Sequence, residues 1–84
     1  MKGYGKDIFN VKVVVRLGKE QATKIAELLI VKTLEDKVWA LTELIKLKLQ
    51  PKTTIFLVSE IIRRKYERRL AISKKIMTEL AKED

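Results

Sequence analysis

Cysteine and histidine are both absent from these 84 residues. Their absence removes disulfides, thiolate nucleophiles, zinc centres of the Cys/His kind and imidazole acid–base chemistry. Proline occurs once and glycine three times, so element ends must be read mostly from caps and charge. Long apolar runs are missing too: stretches such as 28–31 and 55–58 fall far short of the ~18 residues of a membrane span. Residues 1–7 lack the apolar stretch of a signal peptide. The expectation is a cytoplasmic protein with no membrane partner.

Acidic residues are in the minority. Nineteen lysines and arginines face eleven acids, a net charge of +8, and the isoelectric point is near 9.9. Hydrophobic residues make up 46%, too many for a disordered chain and many for a lone monomer of this size. Asparagine occurs once, while Lys, Glu, Ile and Leu abound, which is the compositional bias of thermophile proteins.

Along the chain, residues 1–9 read as a flexible basic arm. Residues 11–17, Val-Lys-Val-Val-Val-Arg-Leu, read as a β-strand, with Val11, Val13, Val15 and Leu17 on one face and Lys12, Val14 and Arg16 on the other. Gly18 ends it. A helix is expected from about Lys19 to Val31, carried by Ala22, Ile25, Ala26, Leu28 and Leu29. Thr33, followed by Glu35 and Asp36, reads as the cap of a second helix reaching about Leu49. Its stripe is Leu34, Val38, Leu41, Ile45 and Leu49, and Trp39, Ala40, Leu44 and Leu47 widen it beyond one face. Pro51 closes that helix. A third, uninterrupted helix is predicted from Thr53 or Thr54 to about Lys82. The organisation is thus an arm over 1–9, a strand–helix–helix unit over 10–50 and a long basic helix within 51–84.

One strand cannot satisfy its own backbone, and no second β-rich segment is present. The simplest partner is the same strand of a second copy, paired antiparallel about a two-fold axis. A homodimer is therefore expected, with a tetramer as an extension, and a dimer core of Val13, Val15, Leu17, Val38, Trp39, Leu41 and Ile45.

The order of these elements resembles the ribbon-helix-helix (Arc- and MetJ-type) DNA-binding proteins. The resemblance rests on residues 11–17, on Gly18-Lys19-Glu20 and on Thr33-Leu34-Glu35-Asp36, and covers about residues 11–49. It implies a mainly α fold with one short strand, a dimeric ribbon in the DNA major groove, and a phosphate held at the start of the second helix. Lys12, Val14 and Arg16 would then face base edges, since arginine pairs with guanine and an apolar side chain touches a thymine methyl. Thr33 would serve the phosphate, although Glu35 and Asp36 already bring negative charge there, and local capping fits it as well.

Charge is most concentrated over residues 63–75. Arg63, Arg64, Lys65, Arg68, Arg69, Lys74 and Lys75 face only Glu67, a net +6. A helix face of one sign points to a polyanion, met through phosphates rather than bases, or to bases paired with acids elsewhere, such as Glu60 with Arg64. Trp39 and Phe56 lie in apolar runs and read as core; Tyr66 lies among the arginines. The carboxylates are scattered, so no catalytic residues, metal site, cofactor or small-molecule substrate are expected. The reading is a homodimeric, sequence-specific double-stranded DNA-binding protein acting in transcription regulation, and not an enzyme. Two alternatives stay open: a helix-turn-helix over residues 41–66, and a helical adaptor or inhibitor that binds an acidic protein surface.

Overall fold

Two buried valines decide the start of the chain. Val11 and Val14 are both inside the core, Val14 only 1% exposed, and a spacing of three puts them on one side of a helix but on opposite faces of a strand. The computed structural model describes the backbone of residues 4–82 and the side chains of residues 10–82. Its elements, in order, are α1 (Tyr4–Val15), α2 (Lys19–Leu29), α3 (Leu34–Lys46), α4 (Pro51–Arg63) and α5 (Tyr66–Lys82). No strand occurs among the described residues.

The strand over 11–17 and the ribbon-helix-helix pairing built on it are therefore overturned. The physical reason lies in the problem the strand posed. A helix closes its own backbone hydrogen bonds and needs no second edge, and β-propensity yields to packing context. Residues 4–9, expected to belong to a loose arm, form the first turns of α1; residues 1–3 lie outside the described residues.

Gly18 joins α1 to α2 with φ at +106° and ψ at 157°, a conformation essentially confined to glycine. α2 is the central helix. Its buried residues Ala22, Ile25, Ala26, Leu28 and Leu29 match the stripe read from sequence. α5 packs most extensively on α2 and next on α1, while α3 touches α2 and α4. Ile72, Ile76 and Leu80 of α5 join Leu44 of α3 and Leu57 and Ile61 of α4 in one core.

α3 begins as its sequence predicts. Thr33 is extended and its hydroxyl accepts from the Asp36 N–H at 3.0 Å. The helix stops at Lys46 rather than Leu49, and Lys48 turns the chain with φ at +54°. Gln50 is extended ahead of Pro51, which opens α4 at a position where no N–H is needed.

The single long helix over 53–82 is also overturned. Arg64 is extended (φ −100°, ψ 150°), and α5 starts afresh at Tyr66. No glycine or proline marks this break. Its cause is a set of long-range polar contacts, described next, that are available only if α5 folds back over α2.

Candidate nucleic-acid interface

The basic run 63–75 divides into cations that hold the fold and cations that face solvent. Arg69 is the clearest of the first kind, at 2% exposure. Its Nε donates to the Arg64 carbonyl at 3.1 Å, closing the end of α4. Its Nη1 donates to the Leu29 carbonyl at 2.8 Å and to the Val31 carbonyl. α2 has no basic residue in its last turn, so the guanidinium from α5 supplies both the missing donors and the positive charge favoured at a helix C-terminus. Ser73 adds a hydroxyl bond to the Ala26 carbonyl at 2.8 Å.

Glu60 is the buried acid at this junction, 3% exposed. Arg68 Nη2 donates to its Oε2 at 3.3 Å, and Arg68 Nε lies 3.3 Å from Oε1. Arg64 Nε is 3.8 Å from Oε2. Tyr66 carries the Lys32 ammonium 4.5 Å above its ring, with the Arg69 guanidinium 5.9 Å away. Arg69 is thus removed from the expected phosphate contacts by its burial. Arg64 and Arg68 are engaged with Glu60, and the Thr33 hydroxyl is engaged in its own helix cap.

The remaining cations of that run are exposed: Arg63, Lys65, Lys74 and Lys75. The fold does something with the last two that their sequence position did not suggest. Because α1 lies along α5, Lys12 and Arg16 come to the same side as Lys74 and Lys75. Val11, Lys12, Lys74, Lys75, Thr78 and Glu79 line an open cleft of about 340 Å³, and Lys12, Val15, Arg16 and Glu79 line its continuation. Lys12 and Arg16 are one helical turn apart, with the Arg16 N–H bonded to the Lys12 carbonyl at 3.0 Å. Among the described residues, none of these four cations has an acidic partner. Among the described residues the cleft holds one carboxylate, Glu79, which Lys82 holds at 3.2 Å.

The base-contacting face expected from the strand does not exist. Lys12 and Arg16 remain exposed, but Val14 between them is in the core, where no base edge can reach it. The other group of expected site residues separates as well. Val13, Val15, Leu17 and Leu41 are half-buried in the single chain, whereas Val38, Trp39 and Ile45 are exposed. Trp39, read as core, is 50% exposed. It follows Val38 by about 100° around α3, outside the face that Ala40 and Leu44 turn into the core.

Elsewhere on α3, Glu43 bridges helices by accepting from Lys24 of α2 at 3.0 Å and from Lys46 at 3.3 Å. The hydrogen bond from Lys24, reinforced by that from Lys46, holds its carboxyl below the ordinary value. Among the described residues no cluster of acids could hold a metal ion, and no helix is long and apolar enough to cross a membrane.

The chain matches no family model, no curated protein and no solved structure. The geometry of the α1–α5 face therefore carries the functional argument by itself.

Proposed function

We propose that the protein binds double-stranded DNA as a dimer and acts as a regulator of transcription. One observation carries this reading: Lys12, Arg16, Lys74 and Lys75 come together from α1 and α5 along two adjoining clefts, and none of them has an acidic partner among the described residues. Four like charges held together by the fold repel one another and raise the local affinity for a polyanion. Phosphates along a duplex relieve that repulsion and release counterions. Such contacts position a protein on DNA; they do not read sequence.

The test is a gel shift on random duplex DNA across a salt series. Four phosphate contacts per protomer give a slope of log K against log salt of roughly −3.5 per protomer. Changing Lys12, Arg16, Lys74 and Lys75 together to Ala should abolish most of that slope. No shift at low salt, or an unchanged slope in the fourfold variant, refutes the reading. Capture of an acidic protein without any DNA binding would move the assignment to the adaptor class.

A specific observation also favours a helix-turn-helix as the reading element. α3 and α4 are joined by four residues, 47–50, and Lys48 in that turn adopts the left-handed conformation usually given to glycine. α4 then presents Lys52 and Ile55 to solvent near its start. Those residues would meet base edges, the isoleucine against a thymine methyl. Lys52→Ala with Ile55→Ala should relax preference for a selected site while largely preserving affinity for random DNA.

A further inference from the structure

Residues Leu34, Val38, Leu41 and Ile45 are spaced four, three and four apart. At 100° per residue they fall within an arc of roughly 60° on α3. This is the apolar seam of a helix that pairs with another helix. Within the chain only Leu41 of this seam packs against the core. α3 turns Ala40 and Leu44 into the core, while Leu34 is 78%, Val38 57% and Ile45 65% exposed, and Leu41 sits at the edge of the buried face. A cluster of large aliphatic side chains left open on one helix marks an interaction surface.

Charge along the same helix identifies the occupant. Beside the seam, on one flank, Glu35 stands at the N-terminal end and Lys46 at the C-terminal end, about 20° apart around the axis. Both are exposed. Lys46 reaches Glu43 at 3.3 Å on the surface, a contact that leaves its other protons available. An antiparallel copy of α3 sets each Leu34 opposite Ile45 of the second copy and each Val38 opposite Leu41. The same register carries Glu35 to within about two residues' rise, ~3 Å, of the second copy's Lys46, twice by symmetry. The two helix dipoles oppose one another as well. In a parallel pair Glu35 and the second copy's Lys46 lie at opposite ends of the seam, about 16 Å apart along the axis at 1.5 Å per residue, and cannot meet.

We infer that the outer face of α3 is where two copies of this chain meet, antiparallel about a two-fold axis between Val38 and Leu41. The inference rests on the dimeric part of the proposed function and assigns it a surface that needs no β-ribbon. It leaves the α1–α5 cleft out of the interface.

Sedimentation equilibrium of the full chain, without DNA, tests it. The wild type should be a dimer at micromolar concentration. Val38→Glu and Ile45→Glu should each be monomeric yet as helical as the wild type by circular dichroism, since both positions face solvent in the single chain. Glu35→Lys should weaken dimerisation by about tenfold, equivalent to ~1.4 kcal/mol, and adding Lys46→Glu should recover most of it. A wild-type monomer overturns the inference. So does a dimer that survives Val38→Glu, or a Glu35→Lys loss that the second change fails to recover. Salt-dependent gel shifts on the same samples read DNA binding separately: a monomer that still shifts random duplex refutes the interface alone, and a dimer that shifts nothing refutes DNA binding alone.

Discussion

The Arg69 guanidinium on α5 donates to the carbonyl of Leu29, the last residue of α2, at 2.8 Å. This bond explains how α2 ends without a glycine, a proline or a basic residue of its own. It also explains why the most basic stretch of the chain is not one continuous binding surface.

Arg69→Met should cost roughly 3 kcal/mol, because it removes a charged donor from the buried Leu29 carbonyl and from the partly buried carbonyls of Val31 and Arg64. Arg63→Ala, a few residues earlier and exposed, should change stability by less than about 0.5 kcal/mol. Urea melts of the two variants check the contrast. Equal stabilities would mean that Arg69 is not holding the α2 end.

Val14→Ala should destabilise by roughly 2 kcal/mol, the loss of two buried carbon groups with some cavity cost. Lys12→Ala, two positions away but exposed, should be close to neutral. A strand facing Val14 outward predicts the reverse order, so thermal unfolding of this pair separates the two geometries.

Trp39→Ala should cost only about 1 kcal/mol, in keeping with its half exposure, whereas Leu44→Ala, at 1% exposure, should cost about 3 kcal/mol. Trp39 fluorescence should be readily quenched by acrylamide in the folded protein. Strong protection would place the indole in a contact that the single chain does not make.

Acid should weaken the α2–α3 tie. Glu43 is held below its ordinary pKa by Lys24 and then Lys46, so its contribution is complete above its unfolded value of about 4.3. That contribution is lost as pH falls through the lower folded value. The stability gap between wild type and Glu43→Gln should therefore shrink from neutral to strongly acidic pH. A gap independent of pH would show that the carboxylate charge contributes nothing there.

Lys48 holds φ at +54° in the turn between α3 and α4. Lys48→Gly relieves about 1 kcal/mol of left-handed strain and gives back part of it as unfolded-chain entropy, so it should be neutral or slightly stabilising. Lys48→Val should be clearly destabilising, since a β-branched residue tolerates this region least. Chemical denaturation of both variants reads the sign.

The sequence displayed what depends on near neighbours. The α2 stripe of Ala22, Ile25, Ala26, Leu28 and Leu29 is buried as its spacing requires, Thr33 caps α3, and Pro51 separates α3 from α4. What it concealed depends on distant partners. Four valines in seven residues favour a strand locally, and only the core that α5, α2 and α4 build around Val11 and Val14 selects the helix. The break after Arg63 has no local signal, because Arg69 makes it by reaching carbonyls some forty positions earlier. The same distance hid the candidate site. Lys12 and Arg16 stood out on one segment and Lys74 and Lys75 on another, and no local pattern places them on one cleft. The exposed seam of α3 was visible as an over-apolar helix, but not which of its residues the chain itself would leave uncovered.

The reliance of α2 on Arg69 also constrains the order in which the molecule can assemble. α2 is the hub of the core, yet its final carbonyls are satisfied by a residue that follows it by 40 positions. An emerging chain that has made only the first three helices would hold α2 with a frayed end and with the α5-facing side of its core open. Closing the α4–α5 corner at Arg64 completes α2 and encloses that side in the same event, so the hub and the last helix should gain protection from hydrogen exchange together rather than in turn.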